Sequence, residues 1–198
     1  AKSLNQIGLK IVSEVLTDLR ADRLVSKVLE KIQPNEFQKI HILGAGKCAC
    51  QMSQPLLKKW GNQIAGGVLI TKDGHDLPSS QLEVLFGDHP VPDMRSLEAG
   101  SHMLQYCKTI SKNDLVITLI SGGASALFEV LKTGITTDEW ISQNEVLLKS
   151  GIDIHELNQK RKTFSQVKGG QWVKNFNDAQ CISLVLSEIC QLGLPLPL

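Results

Sequence analysis

Residues 39–47 read Lys-Ile-His-Ile-Leu-Gly-Ala-Gly-Lys, and Cys48-Ala-Cys-Gln-Met52 follows without a break. The aliphatic run over 39–43 predicts a buried strand, the glycines a sharp turn, and the residues from Cys48 to about Trp60 a helix. Working outward, further short β-branched runs at 67–71, 82–86, 115–120 and 181–186 predict four more strands. Helical patterns separate most of them. Asp93 is placed to cap one helix, and Thr136-x-x-Glu139 and Asp153-x-x-Glu156 have capping-box spacing ahead of two others. Upstream, Leu4, Ile7, Ile11, Val15 and Leu19 recur at helical spacing, and Leu24, Val25, Val28, Leu29 and Ile32 continue the pattern until Pro34 ends it. Two helices, or one kinked helix, therefore precede the first strand. Strands alternating with helices predict an α/β fold, a mostly parallel, doubly wound sheet with helices on both faces.

The totals narrow the function classes. A chain of 198 residues with 42% hydrophobic and 21% charged residues is long enough for one well-packed domain. The net charge of +1 carries no field that would draw nucleic acid or an anionic membrane. No apolar stretch approaches the roughly 18 residues that span a bilayer. Five cysteines at 48, 50, 107, 181 and 190 lack metal-type spacing, which predicts reduced thiols and a cytoplasmic setting. The last residues, Gln-Leu-Gly-Leu-Pro-Leu-Pro-Leu at 191–198, are apolar and uncharged, with prolines that bar a helix. A domain over 1–188 with an atypical apolar tail at 189–198 is expected, the tail either being covered by a groove, a partner or a second copy of the chain, or marking a truncation or frame change.

Four segments carry candidate chemistry. Gly44-Ala45-Gly46-Lys47 sits at a strand-to-helix junction, where free N–H groups, the helix dipole and the Lys47 charge all suit an anion. Extended through Cys48 and Ala49 it also meets a loose G-x-G-x-x-A dinucleotide pattern, with Asp73 near the end of the next strand. A bare packing turn explains the glycines equally well. Ser121-Gly122-Gly123-Ala124-Ser125 follows the strand at 115–120, and loops beyond the carboxyl ends of strands are where open α/β sheets bind ligands. Gly87-Asp88-His89-Pro90-Val91-Pro92-Asp93 offers His89 and two aspartates on a proline-stiffened loop. Asn158, Arg161 and Lys162 share one helix face, followed by Ser165 and Lys168. Such a face clamps phosphate or carboxylate, although composition alone reads it as a solvated basic face.

Taken in order, GAGKCACQM at 44–52, GVLITKDGH at 67–75, GDHPVPDMRSLEAG at 87–100, LVITLISGGASAL at 115–127, SGIDIHELNQKRKTFSQVKGG at 150–170 and SLVLSE at 183–188 resemble one family. It is that of the glycerate kinases of the glycerate-2-kinase/MOFRL group, also described as hydroxypyruvate reductases. The resemblance implies a Rossmann-like N-terminal domain and phosphoryl transfer from ATP, with Mg²⁺, to a hydroxyl of D-glycerate. It makes Lys47 the catalytic residue. Gly44, Gly46, Ser121, Gly122, Gly123, Ser125, Asn158, Arg161 and Lys168 are implied as phosphate or glycerate contacts, without any residue assigned to a metal. His89 is a further candidate contact, and the general base is open between His89 and Asp93.

The chain departs from the family pattern at Ala124, where a loop glycine is expected, and at Thr163, where a histidine is expected. It departs again at Glu188, where Ser-Asp and a Gly-Asp loop are expected. The resemblance also implies a second, MOFRL-type domain beyond this chain, so the chain is expected to be catalytically incomplete alone. Two other classes stay open at this point: a sugar-phosphate or small-anion binding module without catalysis, and an NAD(P)-dependent hydroxypyruvate reductase.

Overall fold

A computed structural model describes residues 4–34, 39–77 and 79–187. Five strands, β1 (Ile40–Ala45), β2 (Ile64–Thr71), β3 (Glu83–Phe86), β4 (Leu115–Ile120) and β5 (Gln180–Val185), form one sheet in the order β3-β2-β1-β4-β5. Every pairing is parallel, so the expected mostly parallel sheet is wholly so among the described residues. The chain starts at the central strand, builds outward to β3, then crosses to the other side of β1. The order reverses between β1 and β4, which is where an open α/β sheet leaves a crevice.

All six residues of β1 are buried, as are the first five of β4, because helices cover both faces. Alternation divides their side chains. Ile40, Ile42, Leu115, Ile117 and Leu119 point to a layer formed by α2 (Ala21–Leu29) and α3 (Ala49–Trp60). Leu43, Ala45, Val68, Ile70 and Val116 point to the opposite layer, formed by α4 (Met94–Cys107), the short α5 (Ala124–Leu127) and a 3₁₀ segment, Lys168–Asn175. In that second layer Phe128, Trp172 and Phe176 stack edge to face at 5.1 and 5.2 Å.

One strand starts earlier than expected, and the N-terminal pattern resolves into two helices. β2 begins at Ile64 instead of 67, since Ile40 pairs with Ile64 while His41 pairs with Gly66, leaving Ala65 as an irregularity. Its two glycines carry no side chain for a hydrophobic pattern to register, which hides the strand's first half. At the N-terminus, α1 (Leu4–Asp18) and α2 are separate helices, broken at an extended Arg20. Val25 and Leu29 of α2 enter the core, but Ile7, Leu9, Val12, Val15 and Leu16 of α1 stay exposed. The periodicity of α1 thus marks an amphipathic helix without marking a contact inside this unit. The tail at 189–198 lies outside the described residues.

The expected caps form. Asp93 accepts from Arg95 N at 2.9 Å, and Asp153 accepts from Glu156 N at 3.0 Å. Thr136 and Glu139 make a reciprocal capping box at the start of α6 (Thr137–Lys149). Hydrogen bonds from the Thr136 backbone N–H and then its hydroxyl hold the Glu139 carboxyl below its ordinary pKa of 4.5. A depressed carboxyl contributes stability that is present above the unfolded value and lost as pH falls through the folded one. Thr136→Ala is therefore expected to lower the thermal midpoint by about 2–4 °C at neutral pH. Below pH 4.5 that difference should shrink, as differential scanning calorimetry would record.

Candidate functional site

Ala45 and Ile120 are register partners at the carboxyl ends of β1 and β4, so the loops that follow them start side by side. Three hydrogen bonds tie these loops together. Ser121 N donates to Ala45 O at 3.1 Å, Lys47 N to Gly122 O at 2.9 Å, and Cys48 N to the Ser121 hydroxyl at 3.0 Å. Gly46 N donates to Ile70 O at 3.0 Å on the other side. Gly46 has φ +128°, and a Cβ there would meet Ser121 O at 2.6 Å. Only glycine permits this closeness.

These bonds correct one expectation. The N–H groups of Gly46, Lys47, Cys48 and Ala49, read as an anion cradle at the start of α3, all donate to protein acceptors. For a ligand, α3 offers its dipole and the half-exposed Lys47. The open donors lie across the crevice, where the N–H groups of Gly122 and Gly123 have no acceptor among the described residues. Gly44 is also corrected. It lies inside β1, where a Cβ would meet Leu69 Cδ2 at 2.8 Å and Leu119 Cβ at 3.2 Å, so its role is sheet packing.

His89 joins this group from the third strand's loop. Gly123, at φ +89°, would place a Cβ 3.1 Å from His89 Cδ2 and 3.4 Å from Lys47 Cγ. Lys47, His89 and the Ser121–Gly123 turn thus converge on one spot, with Ser125 half-buried beside it. The flanking loop carries Asp88 and Asp93, whose mutual hydrogen bond raises the Asp88 carboxyl above its ordinary value. Asp73, the acid of the dinucleotide pattern, is engaged elsewhere. Arg95 Nη2 donates to both of its oxygens at 3.0 and 2.9 Å. With Gly44 inside the strand and Asp73 held by arginine, the G-x-G-x-x-A pattern loses both the turn and the ribose acceptor that give it meaning.

The remaining expected residues form a second cluster beyond α5. Arg161 on α7 (Ile154–Phe164) is buried, at 6% exposure, and its Nε donates to Asn144 Oδ1 at 3.0 Å. The solvated basic face that composition suggested is thus wrong for this residue. Lys168 Nζ lies 2.8 Å from Glu129 Oε2 and donates to Phe128 O at 3.3 Å. Burial lowers both the Lys168 ammonium and the Arg161 guanidinium from their ordinary values, with Glu129 pulling the other way. Asn158 is half-buried on α7, one turn before Arg161. Glu129 and Asn144, the partners of Lys168 and Arg161, were not legible in the sequence as members of this cluster. A lone carboxylate inside the apolar run Ala126-Leu-Phe-Glu-Val-Leu131 was the available signal.

Among the described residues no group of three or more His, Cys, Asp or Glu is placed to hold a metal, and no helix is long and apolar enough to cross a membrane. The profile of a family described as a domain of unknown function, DUF4147, matches residues 7–194. A D-glycerate 2-kinase of Thermotoga maritima is 33% identical over 189 residues, covering 95% of this chain and 45% of that protein. A putative hydroxypyruvate reductase of Agrobacterium vitis is 36% identical over 148 residues, covering 75% of this chain and 38% of its own length. A crystal structure of glycerate kinase from Thermotoga maritima superposes with a TM-score of 0.86 at 34% identity, over 96% of this chain and 45% of that one. The chain thus spans about half the length of the relatives it matches. With its Rossmann-like parallel sheet and a family match over residues 7–194, the chain belongs to the DUF4147 family and has glycerate 2-kinases among its homologues.

Proposed function

We propose that this chain forms the Rossmann-like half of a glycerate kinase, taking part in phosphoryl transfer from ATP to a hydroxyl of D-glycerate. The observation that carries the proposal is the convergence of Lys47, His89 and the Ser121–Gly123 turn at the switch point of the sheet. In the reaction the bond between the γ-phosphorus and its bridging oxygen breaks and a bond to the glycerate hydroxyl oxygen forms. The hydroxyl proton leaves to a base or to water. Such a transfer asks a protein for positioning and for neutralisation of charge on the moving phosphoryl group, with little covalent help. Lys47 supplies the charge, and the N–H groups of Gly122 and Gly123 supply donors fixed by the loop bonds to β1. His89 would take the proton or hold a phosphate oxygen, with Asp93 as the other candidate base. Mg²⁺ would come with the nucleotide, since a magnesium ion on phosphates needs only one or two protein carboxylates, and Asp88 and Asp93 would provide them. The proposed setting is the cytoplasm, which keeps the thiols of Cys48, Cys50, Cys107 and Cys181 reduced.

Because the kinase relatives are more than twice as long, the chain is proposed to supply one wall of the cleft. Weak glycerate-dependent ADP release is expected from it alone, and strong release when the remaining half of such a relative is joined to it. Isothermal titration tests the binding role directly. ATP should bind saturably, and Lys47→Met should weaken it about tenfold, the usual size of one charge-assisted contact. Indifference of ATP affinity to this substitution would remove Lys47 from the site. Preference for a sugar phosphate over ATP and glycerate, or nicotinamide oxidation with hydroxypyruvate, would replace the kinase reading.

A further inference from the structure

The buried cluster beyond α5 is electrically unbalanced. Arg161 and Lys168 bring two cations, at 6% residue and 9% side-chain exposure, and Glu129, at 2%, brings one anion. Both Glu129 oxygens are engaged: Oε2 by Lys168 Nζ at 2.8 Å and Oε1 by Val130 N at 3.0 Å. Asn144 Oδ1 takes Arg161 Nε, and Asn144 Nδ2 donates to Trp140 O at 2.9 Å, which fixes the amide's orientation. Arg161 Nη2 is left buried with no acceptor among the described residues. A buried, unpaired donor on a group with uncompensated charge is costly, and proteins keep such an arrangement where something else supplies the missing partner.

We propose that Arg161, positioned by Asn144 and flanked by the Lys168–Glu129 pair, is the subsite for the carboxylate of a small hydroxy-acid substrate. The inference rests on the kinase reading for the identity of that acid, but not for the site itself. Charge selects a carboxylate. One bound monoanion brings the cluster to neutrality and gives Nη2 an oxygen, whereas a phosphate dianion would leave a buried negative charge. Phosphate has its own place at the half-exposed Lys47 and the open donors of Gly122 and Gly123, one short helix away along the chain. The two sites would then hold the two ends of the acceptor's chemistry: carboxylate on Arg161, reacting hydroxyl toward Lys47. Since Nη2 is covered, filling the subsite is coupled to a local opening of the layer formed by α6 and α7.

The test compares acetate, D-glycerate and inorganic phosphate as probes, with binding followed by NMR shifts on the chain and on three variants. Carboxylate affinity should fall about tenfold in Arg161→Gln and in Lys168→Met, and rise about tenfold in Glu129→Gln, as one unit charge within a protein interior dictates. A merely structural cluster would not give opposite signs for the two partners of one ion pair. Lys168→Met leaves the cluster neutral and is the variant expected to fold best, so it decides the matter if Glu129→Gln does not fold. Unchanged carboxylate affinity in Lys168→Met and Arg161→Gln overturns the subsite. So does a phosphate affinity that depends more on Arg161 than acetate affinity does. If acetate follows the expected order while D-glycerate is not preferred, the subsite stands and the kinase reading falls. If D-glycerate binds regardless of these residues, the subsite falls alone.

Discussion

Gly46→Ala should lose about 3 kcal/mol or more of folding stability, a large share of the roughly 5–15 kcal/mol that holds a domain together. Two costs add. The backbone is at φ +128°, which L side chains rarely adopt, and the new Cβ would stand 2.6 Å from Ser121 O and 2.8 Å from Ser121 C. Both are backbone atoms, so no side chain can rotate aside. They cannot retreat without breaking the bonds from Ser121 N to Ala45 O and from Lys47 N to Gly122 O. Gly134→Ala separates the two costs, because Gly134 has φ +90° with nothing within 4 Å of its added Cβ. That control should show only the conformational penalty, about 1 kcal/mol. Urea unfolding of the two variants decides the matter. Equal losses would mean that the junction of the two loops tolerates displacement, and that Lys47 is held less firmly than its bonds suggest.

Glu129→Gln is expected to cost about 3–5 kcal/mol, the penalty for leaving buried charge without its counter-ion. It strips from Arg161 and Lys168 the one anion that pairs with them among the described residues, and both cations already lie against a low-dielectric core. Lys168→Met should be far milder, and even stabilising, because it removes a buried charge and leaves Glu129 facing Arg161. The asymmetry follows from two cations sharing one carboxylate; a simple ion pair would give losses of similar size. pH offers a second readout. Burial lowers the Lys168 ammonium from its ordinary 10.5, so the unfolded chain binds the proton more tightly than the folded one. Stability should rise with pH between the lowered folded value and 10.5, and Lys168→Met should lack that rise. Chemical denaturation at several pH values would measure it. A wild-type curve with the same slope as the variant would show that Lys168 is not charged against burial.

The more exposed edge strands β3 and β5 were legible from their β-branched residues. β1, β4 and the second half of β2 were legible because each is a short aliphatic run that helices bury on both faces, and that pattern is written within a few residues. Caps were legible for the same reason: Asp93, Thr136 and Asp153 act on N–H groups two or three residues away. The glycine loops announced themselves as turns beyond strand ends, which was enough to expect a crevice. The α/β class, the local ends of the helices and the residue types offered to a ligand thus follow from short-range pattern. Which of those residues meet is set by the folded chain. The Ser121 hydroxyl reaches Cys48 N across 73 residues and closes a helix terminus that looked open. Gly44 turned from a ligand glycine into a packing one because Leu69 and Leu119 fill its side of the sheet. Arg161 turned from a solvated cation into a buried one because Asn144 and the chain around Glu129 fold over it. The first two outcomes depend on the order β3-β2-β1-β4-β5, and the third on the packing of α7 against α6. Periodicity and caps report only a residue's neighbours, so they carry no information about a partner that the sheet order brings in from seventy residues away.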